Sequence, residues 1–302
     1  MEYLVLAGAC IAFAPMFLFN KAYQRRSDQS IEASLWVSVI TGVTTVLFGL
    51  PLCGFRPTGS LPSLLYACGF AASCVFCGAA IFLALRQTRV AVVSLFMYSG
   101  GLLLPSLYGI FFHGEPVTVW KVIGILLICS SFLPSLLEGR GDQKKSGRSV
   151  AWILLLAFVS NGMIGVFSKA NVMHPAGAEN ADFIVMAGFW DVVIVFLLLG
   201  INKLFHKDAT LSPRCIAADG KPRTYLLQVL TIALCTVTNS ISNILSLMAN
   251  AMMDSSIQYP IFNAAQICLA ALLSALVLKE KPNTATIIQT GVCVVGILTL
   301  LL

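Results

Sequence analysis

Charged side chains are scarce in this sequence. Asp, Glu, Lys and Arg make up 11% of its 302 residues, whereas soluble domains carry roughly 25%. Hydrophobic residues make up 58%, which excludes an ordinary soluble domain and predicts a membrane protein. The net charge of +6 is spread over short loops and not gathered into a patch, so we expect no nucleic-acid partner.

The motifs of enzymes and of ATP-driven pumps are also missing. No Gly-rich loop is followed by Lys and Ser or Thr, as in a P-loop. The three histidines, His113, His174 and His206, lie in three different predicted loops without an HxxxH motif, an acid pair or a serine elbow. We therefore expect no enzyme activity, no metal and no cofactor, and an integral-membrane enzyme is the least favoured alternative.

Long polar stretches are absent too. Runs of about 20 apolar residues without central charges leave no room for a soluble domain and predict an all-α integral membrane protein. None of the runs alternates with the period of two that a membrane β-strand requires. The ten predicted transmembrane helices cover residues 3–20, 31–52, 61–85, 90–112, 117–137, 150–168, 182–204, 224–252, 255–278 and 283–302.

The ten predicted helices form two sets of five. A polar linker at residues 138–149 separates a first repeat, residues 1–137, from a second repeat, residues 150–302. Shifting one repeat over the other by 148 residues places Lys21 on Lys169. The chain therefore reads as a duplicated unit.

The far ends of the two sets are similar as well. The segment "FFHGEPVTVWKVIGILL", residues 111–127, resembles residues 277–295, and Glu115 aligns with Glu280. Because five is an odd number, the second copy must cross the membrane in the opposite sense to the first. The sequence thus predicts two inverted five-helix repeats.

The basic residues predict the orientation in the membrane. The loops that follow odd-numbered helices hold 16 Lys and Arg residues, against three, Arg56, Lys121 and Lys169, on the other face. Short basic loops stay in the cytoplasm. We therefore expect a multi-pass protein of the plasma membrane with both termini outside the cytoplasm.

Two segments carry a family resemblance. They are "MYSGGLLLPSLYGIFFHGEPVT", residues 97–118, and its looser counterpart "YPIFNAAQICLAALLSALVLKEKPN", residues 259–283. The chain resembles the EamA-like branch of the drug/metabolite transporter superfamily, and each half resembles a small multidrug resistance transporter with one helix added. The resemblance implies ten helices in two inverted halves, with helices one, three, four, six, eight and nine around a central cavity.

The sequence departs from the resembled families in two ways. Small multidrug transporters carry a membrane-embedded glutamate eight residues before a lysine, and Phe13 and Asn161 stand at those positions relative to Lys21 and Lys169. Exchange of protons for lipophilic cations is therefore disfavoured. In addition, EamA-like proteins are commonly drawn with both termini in the cytoplasm, opposite to the orientation that the basic residues predict here.

Polar residues form stripes along three predicted helices. A stripe of this kind on a membrane helix faces a partner or water. Isolated amides often only join neighbouring helices, but the two stripes on helices eight and nine together favour a wet cavity. The predicted substrate-binding residues on these stripes are Asn239 and Asn243 on helix eight, in line with Ser246 and Asn250, then Tyr259, Asn263 and Gln266 on helix nine, and Tyr98 on helix four.

Further candidates lie beside this cavity. Asn161 and Lys169 are placed at its edge, although a lysine at a helix end also serves simply by reaching the membrane surface. Asp191 lies well inside an apolar run and is either a coupling residue or a partner for a neighbouring helix. The candidate hinges are Pro15, Gly100, Gly101, Pro105 and Pro260, each of which is alternatively a static kink.

These patterns together predict a secondary active or facilitative transporter. The expected substrate is a small polar or zwitterionic, amino-acid-like metabolite that moves by alternating access. The alternatives are an exporter of drugs or other cationic compounds and a flippase for a lipid intermediate. The expected partners are the small-molecule substrate and the lipid bilayer, with the protein a monomer or a weak homodimer.

Overall fold

The regular elements of the described chain are all helices. The structure, a computed structural model, describes residues 1–15, 31–85, 87, 90–131, 148–205, 221–276 and 284–300. The all-α prediction is confirmed for these residues. The helices are α1 (Glu2–Phe13), α2 (Ile31–Leu52), α3 (Leu61–Leu85), α4 (Val90–His113), α5 (Val119–Ser130), α6 (Arg148–Met173), α7 (Asn180–Phe205), α8 (Pro222–Met252), α9 (Ser255–Leu276) and α10 (Thr284–Leu300).

Five of these helices, α2, α3, α6, α7 and α8, are long and apolar enough to cross a membrane. Helix α6, with 26 residues, is about 39 Å long at 1.5 Å per residue, which exceeds the roughly 30 Å of a bilayer core. Large apolar side chains such as Leu47, Leu126 and Leu230 point outward, as lipid-facing residues do. Membrane character is therefore supported, while ten crossings remain a prediction.

Helices from the first part of the chain pack mainly on helices from the second part. Helix α6 packs on α3 and α4, whereas α1 packs on α8. Helix α2 packs on α7, α4 on α9 and α5 on α10. The bundle is thus held together by contacts between residues far apart in sequence.

Two of these crossings depend on glycine. A Cβ on Gly42 would lie 2.8 Å from the carbonyl oxygen of Gly188, and a Cβ on Gly188 would lie 3.0 Å from that of Gly42. Helices α5 and α10 cross in the same reciprocal way at Gly124 and Gly296, with distances of 3.1 and 3.2 Å. Small residues at such points let membrane helices approach closely.

Four short connections, residues 53–60, 114–118, 174–179 and 253–254, lie together at one end of the bundle, which we call the turn end. There the Thr58 hydroxyl donates to the carboxylate of Asp182 at 2.6 Å, and the first and third connections contact each other through further bonds. The second and fourth connections meet through Lys121, whose ammonium group donates to the carbonyl of Pro116 at 2.9 Å and to the carboxylate of Asp254 at 2.7 Å.

Several predicted features lie outside the described residues. Lys21 and Glu280 are among them, as is the predicted linker up to residue 147. The repeat relation of Lys21 to Lys169 therefore stays a sequence prediction. Helix α1 is described to Phe13, and Pro15 follows it within the described part of the chain.

Candidate functional site

Three helices bring predicted site residues together at Gly101 in the middle of α4. A Cβ added to Gly101 would collide with the amide nitrogen of Asn161 on α6 and lie 3.1 Å from Oδ1 of Asn263 on α9. Tyr98, one turn earlier on α4, is buried. The structure therefore places Asn161, which was predicted at the cavity edge, and Asn263, which was predicted on a polar stripe, at one glycine. That these residues bind a substrate remains a prediction.

Hydrogen bonds orient the two asparagines. The side-chain N–H of Asn161 donates to the carbonyl of Met97 at 2.8 Å, and the thiol of Cys77 lies 3.9 Å from Oδ1 of the same side chain. The side-chain N–H of Asn263 donates to the carbonyl of Tyr259, one turn back on α9, at 2.8 Å. Both side chains are therefore held in place before any ligand arrives.

Proline adds a backbone acceptor to this region. Pro105 has no amide hydrogen, so the usual helical bond to the carbonyl of Gly101, four residues earlier, is not formed. Gly165 on α6 permits the close approach of Pro105, and a Cβ on Gly165 would also lie 2.7 Å from the ring of Tyr259. Gly100 faces the backbone carbonyl of Phe158, which gives it a packing role beside its predicted hinge role.

Tyr259 joins three helices through its hydroxyl group. The hydroxyl donates to the carbonyl of Gly165 on α6 at 2.8 Å and accepts from the side chain of Asn250 on α8 at 2.9 Å. Tyr259 and Asn250 are both buried. Pro260 follows directly and is buried as well.

The remaining predicted stripe residues differ in exposure. Asn239 and Asn243 on α8 are half-buried, whereas Gln266 on α9 is buried. These residues lie on the helices that carry the stripes, and their assignment to the substrate remains a prediction.

Sequence reasoning missed a second polar face on α8. The hydroxyl groups of Thr236 and Thr41 lie 3.4 Å apart, and those of Ser240 and Thr45 are also 3.4 Å apart. The available signal was a pair of hydroxyl residues four positions apart on each helix, a spacing that places them on one face. These pairs join α8 to α2.

Lys169 lies near the turn end of α6, eight residues from Asn161, which corresponds to about 12 Å along a helix. Its side chain is 5% exposed. The ammonium group donates to the carbonyls of Asn250 at 3.0 Å and Met253 at 3.2 Å, and lies 3.7 Å from Oε1 of Glu115. The charge is therefore bound inside the protein and not exposed at the membrane surface.

Glu115 is a site residue that sequence reasoning used only to align the repeats. Its carboxylate accepts hydrogen bonds from the backbone N–H groups of Ser255 at 2.7 Å and Ser256 at 2.9 Å. A second ion pair lies nearby, where Lys121 contacts Asp254 at 2.7 Å. The turn end thus holds two ion pairs around the first turn of α9.

Asp191 occupies a different place in the bundle. It is 8% exposed, and its Cβ lies 3.1 Å from the position that a Cβ on Gly42 would take, where α7 crosses α2. Within the described part of the chain, Oδ1 of Asp191 has no hydrogen-bond partner. A buried carboxyl oxygen without a partner is a candidate for protonation or for a ligand contact.

Comparison with known proteins bears on the fold. No protein-family model matches this sequence, and no curated protein does so. Twenty-nine chains of solved structures match. One of them, named only as the crystal structure of a protein, aligns with a TM-score of 0.70 at 18% identity over 99% of this chain and 95% of its own. At that identity the likeness shows a shared fold over essentially the full length.

Proposed function

We propose that this protein is a membrane transporter that moves a small neutral or zwitterionic polar solute by alternating access. The observation that carries the proposal is the convergence of Asn161 and Asn263 on Gly101, midway along three helices. A polar group inside a membrane bundle requires a partner or water. Oδ1 of Asn263 and the carbonyl of Gly101 are acceptors there, and they suit a solute with N–H or O–H donors.

The packing pattern supports a duplicated and inverted chain. Suppose that each helix of the first repeat corresponds to the helix five places later. Then α2–α7, α4–α9 and α5–α10 are contacts between corresponding helices, and the contact α1–α8 in one repeat order corresponds to the contact α3–α6 in the other. All of these pairs pack together, and the reciprocal glycine crossings fall on two of the self-related pairs. This arrangement suits two repeats that rock about a site between them. It also supports membership of the EamA-like drug/metabolite transporters.

The chemistry around Gly101 favours a neutral or zwitterionic substrate over a cationic drug. The contacts found there come from amides, a tyrosine and a backbone carbonyl. Asp191, the acid that the sequence places well inside an apolar run, lies at the α2–α7 crossing instead. We assign Asp191 the role of a coupling group that gains and loses a proton during transport. A carboxylate, the group that would most strongly favour a cationic compound, is not among the contacts described around Gly101.

Reconstitution in liposomes tests the proposal. The full chain is supplied with a panel of labelled amino acids and small metabolites, with and without a pH gradient. We expect uptake of at least one neutral or zwitterionic solute and a loss of about tenfold or more in Asn161→Leu and Asn263→Leu, since tenfold corresponds to about 1.4 kcal/mol of lost binding. The matched control is Thr299→Val, which removes an exposed hydroxyl on α10. Equal uptake by all three variants and the wild type would refute the site.

A further inference from the structure

The connection between α4 and α5 turns Glu115 back into the bundle. Gly114 has a φ of +65°, a left-handed conformation that glycine adopts without strain, and the N–H of Glu115 donates to the carbonyl of Gly109 at 3.2 Å. Gly109 leaves space for the carboxylate, because a Cβ there would lie 2.5 Å from the carboxyl carbon. Glu115 is thereby aimed at the backbone N–H groups of Ser255 and Ser256.

Glu115 and Lys169 each bind one side of the α8–α9 turn. Anions are stabilised at helix N-termini and cations at helix C-termini. The carboxylate of Glu115 binds the N-terminus of α9, and the ammonium of Lys169 binds the last carbonyls of α8. The two groups also face each other at 3.7 Å. The turn is therefore fixed by two buried charges from other parts of the chain.

Helix α9 connects this turn to the Gly101 site. Ser255 and Ser256 in its first turn, Tyr259 in its second and Asn263 in its third follow at helical spacing and lie on one side of the helix. Displacement of the first turn of α9 from Glu115 would therefore also move Tyr259, whose carbonyl accepts the hydrogen bond that orients Asn263.

We propose that Glu115 and Lys169 form a gate, closed in this structure, that separates the Gly101 site from the turn end. The gate rests on the proposed function, because it is the barrier that alternating access must open on one face. Removing one member of a buried ion pair leaves the other charge without its partner. Loss of either charge therefore favours the open state, in which water reaches the remaining one.

Accessibility of Cys77 measures the gate without any substrate. Cys77 lies against Asn161, so it reports on the site directly. The probe is a membrane-impermeant, charged methanethiosulfonate, applied to either side of vesicles that contain the full chain with its nine other cysteines replaced. A separate variant, Phe55→Cys at an exposed position, marks the side of the membrane that the turn end faces.

In the wild type we expect slow labelling of Cys77 from the turn-end side. In Glu115→Gln and Lys169→Met labelling should be at least about tenfold faster, because the labelling rate follows the population of the open state and we expect that population to rise about tenfold. Gly109→Ala, which keeps both charges but crowds the carboxylate, should act in the same direction and serves if a charge variant does not fold. Lys121→Met is the matched control. It breaks the pair with Asp254 and should change labelling less than twofold, because the carboxylate left behind is 38% exposed and is already in contact with water, unlike the buried partner that each gate variant leaves behind.

Three results would overturn the gate. One is unchanged labelling in Glu115→Gln, Lys169→Met and Gly109→Ala. Another is an equal increase in Lys121→Met, which would indicate general loosening. The third is a loss of transport in Glu115→Gln or Lys169→Met while the labelling of Cys77 in the same variant stays unchanged. This result would leave the proposed function standing. Conversely, a wild type that moves no solute while Glu115→Gln exposes Cys77 would count against the proposed function and in favour of the gate.

Discussion

Gly101→Ala tests the assignment of the site most directly, because it adds one methyl group at the point where α4, α6 and α9 meet. The methyl would collide with the amide of Asn161 and lie 3.1 Å from Oδ1 of Asn263. Asn161 must then move away from the carbonyl of Met97, which costs about 0.6 kcal/mol for a hydrogen bond in a membrane protein. Alanine in place of glycine stabilises a helix by about 1 kcal/mol.

The two terms nearly cancel, so the variant should fold normally. We expect a change in Tm of no more than a few degrees, at about 2–4 °C per kcal/mol. Transport should nevertheless fall about tenfold or more, because the methyl occupies the space of the substrate and displaces an amide that would bind it. The assays are thermal unfolding in detergent and uptake by proteoliposomes, run on the same preparation.

Two other glycines supply the controls for this substitution. A Cβ on Gly200 or on Gly291 meets nothing within 4 Å, so alanine there should leave both uptake and Tm close to wild type. Gly42→Ala should lower Tm, because its methyl would meet the backbone of Gly188 at 2.8 Å. If Gly101→Ala folds and transports like the wild type, the site does not lie at Gly101.

Further outcomes are expected elsewhere in the chain. Asp191→Asn should abolish the effect of a pH gradient on uptake, and an unaltered effect would remove Asp191 from coupling. Tyr259→Phe loses two hydrogen bonds and should lower stability by about 1 kcal/mol, seen as a lower Tm in detergent; an unchanged Tm would contradict the structural role. A C-terminal reporter that is active only in the cytoplasm should stay silent. Burial and the adjacent carboxylate of Asp182 raise the pKa of the Cys53 thiol to about 12. Because a thiol reagent reacts with the thiolate, the rate at which it labels Cys53 should still rise about tenfold from pH 9 to pH 10. Asp182→Asn removes the negative charge and should accelerate this labelling at pH 9.

Most helix positions could be predicted from apolar length alone. The predicted spans 31–52 and 61–85 coincide with α2 and α3, because polar or turn-forming residues bound both runs. The predicted span 150–168 is too short, since α6 continues to Met173. The apolar run ends before Lys169, but the helix continues because Lys169 and Asn171 are both buried and hydrogen-bonded inside the protein. The side chain of Asn171, for example, donates to the carbonyl of Ala178 at 3.1 Å.

The site could be predicted only in part. The polar stripes placed Tyr98 and Asn263 on inward faces, and Asn161 was expected at the cavity edge; the structure brings Asn161 and Asn263 together at Gly101. The hydrogen-bond partners of Glu115 on α9 could not be predicted, because they are backbone N–H groups, which leave no mark in a sequence. Their availability depends on where α9 begins relative to the α4–α5 connection, and that is a property of the packed bundle.

The two kinds of contact in this bundle suit different tasks in alternating access. At the turn end, the buried ion pair of the proposed gate joins Glu115, from before the predicted linker, to Lys169, from after it. Charged groups that separate into water regain solvation, so opening this end exchanges one set of polar partners for another. The α2–α7 and α5–α10 crossings are close contacts between glycine backbones instead, and water cannot replace the dispersion contacts that would be lost there. In the proposed transport cycle, the turn end is therefore the part of the bundle that opens, and the glycine crossings are the axis about which the two halves turn.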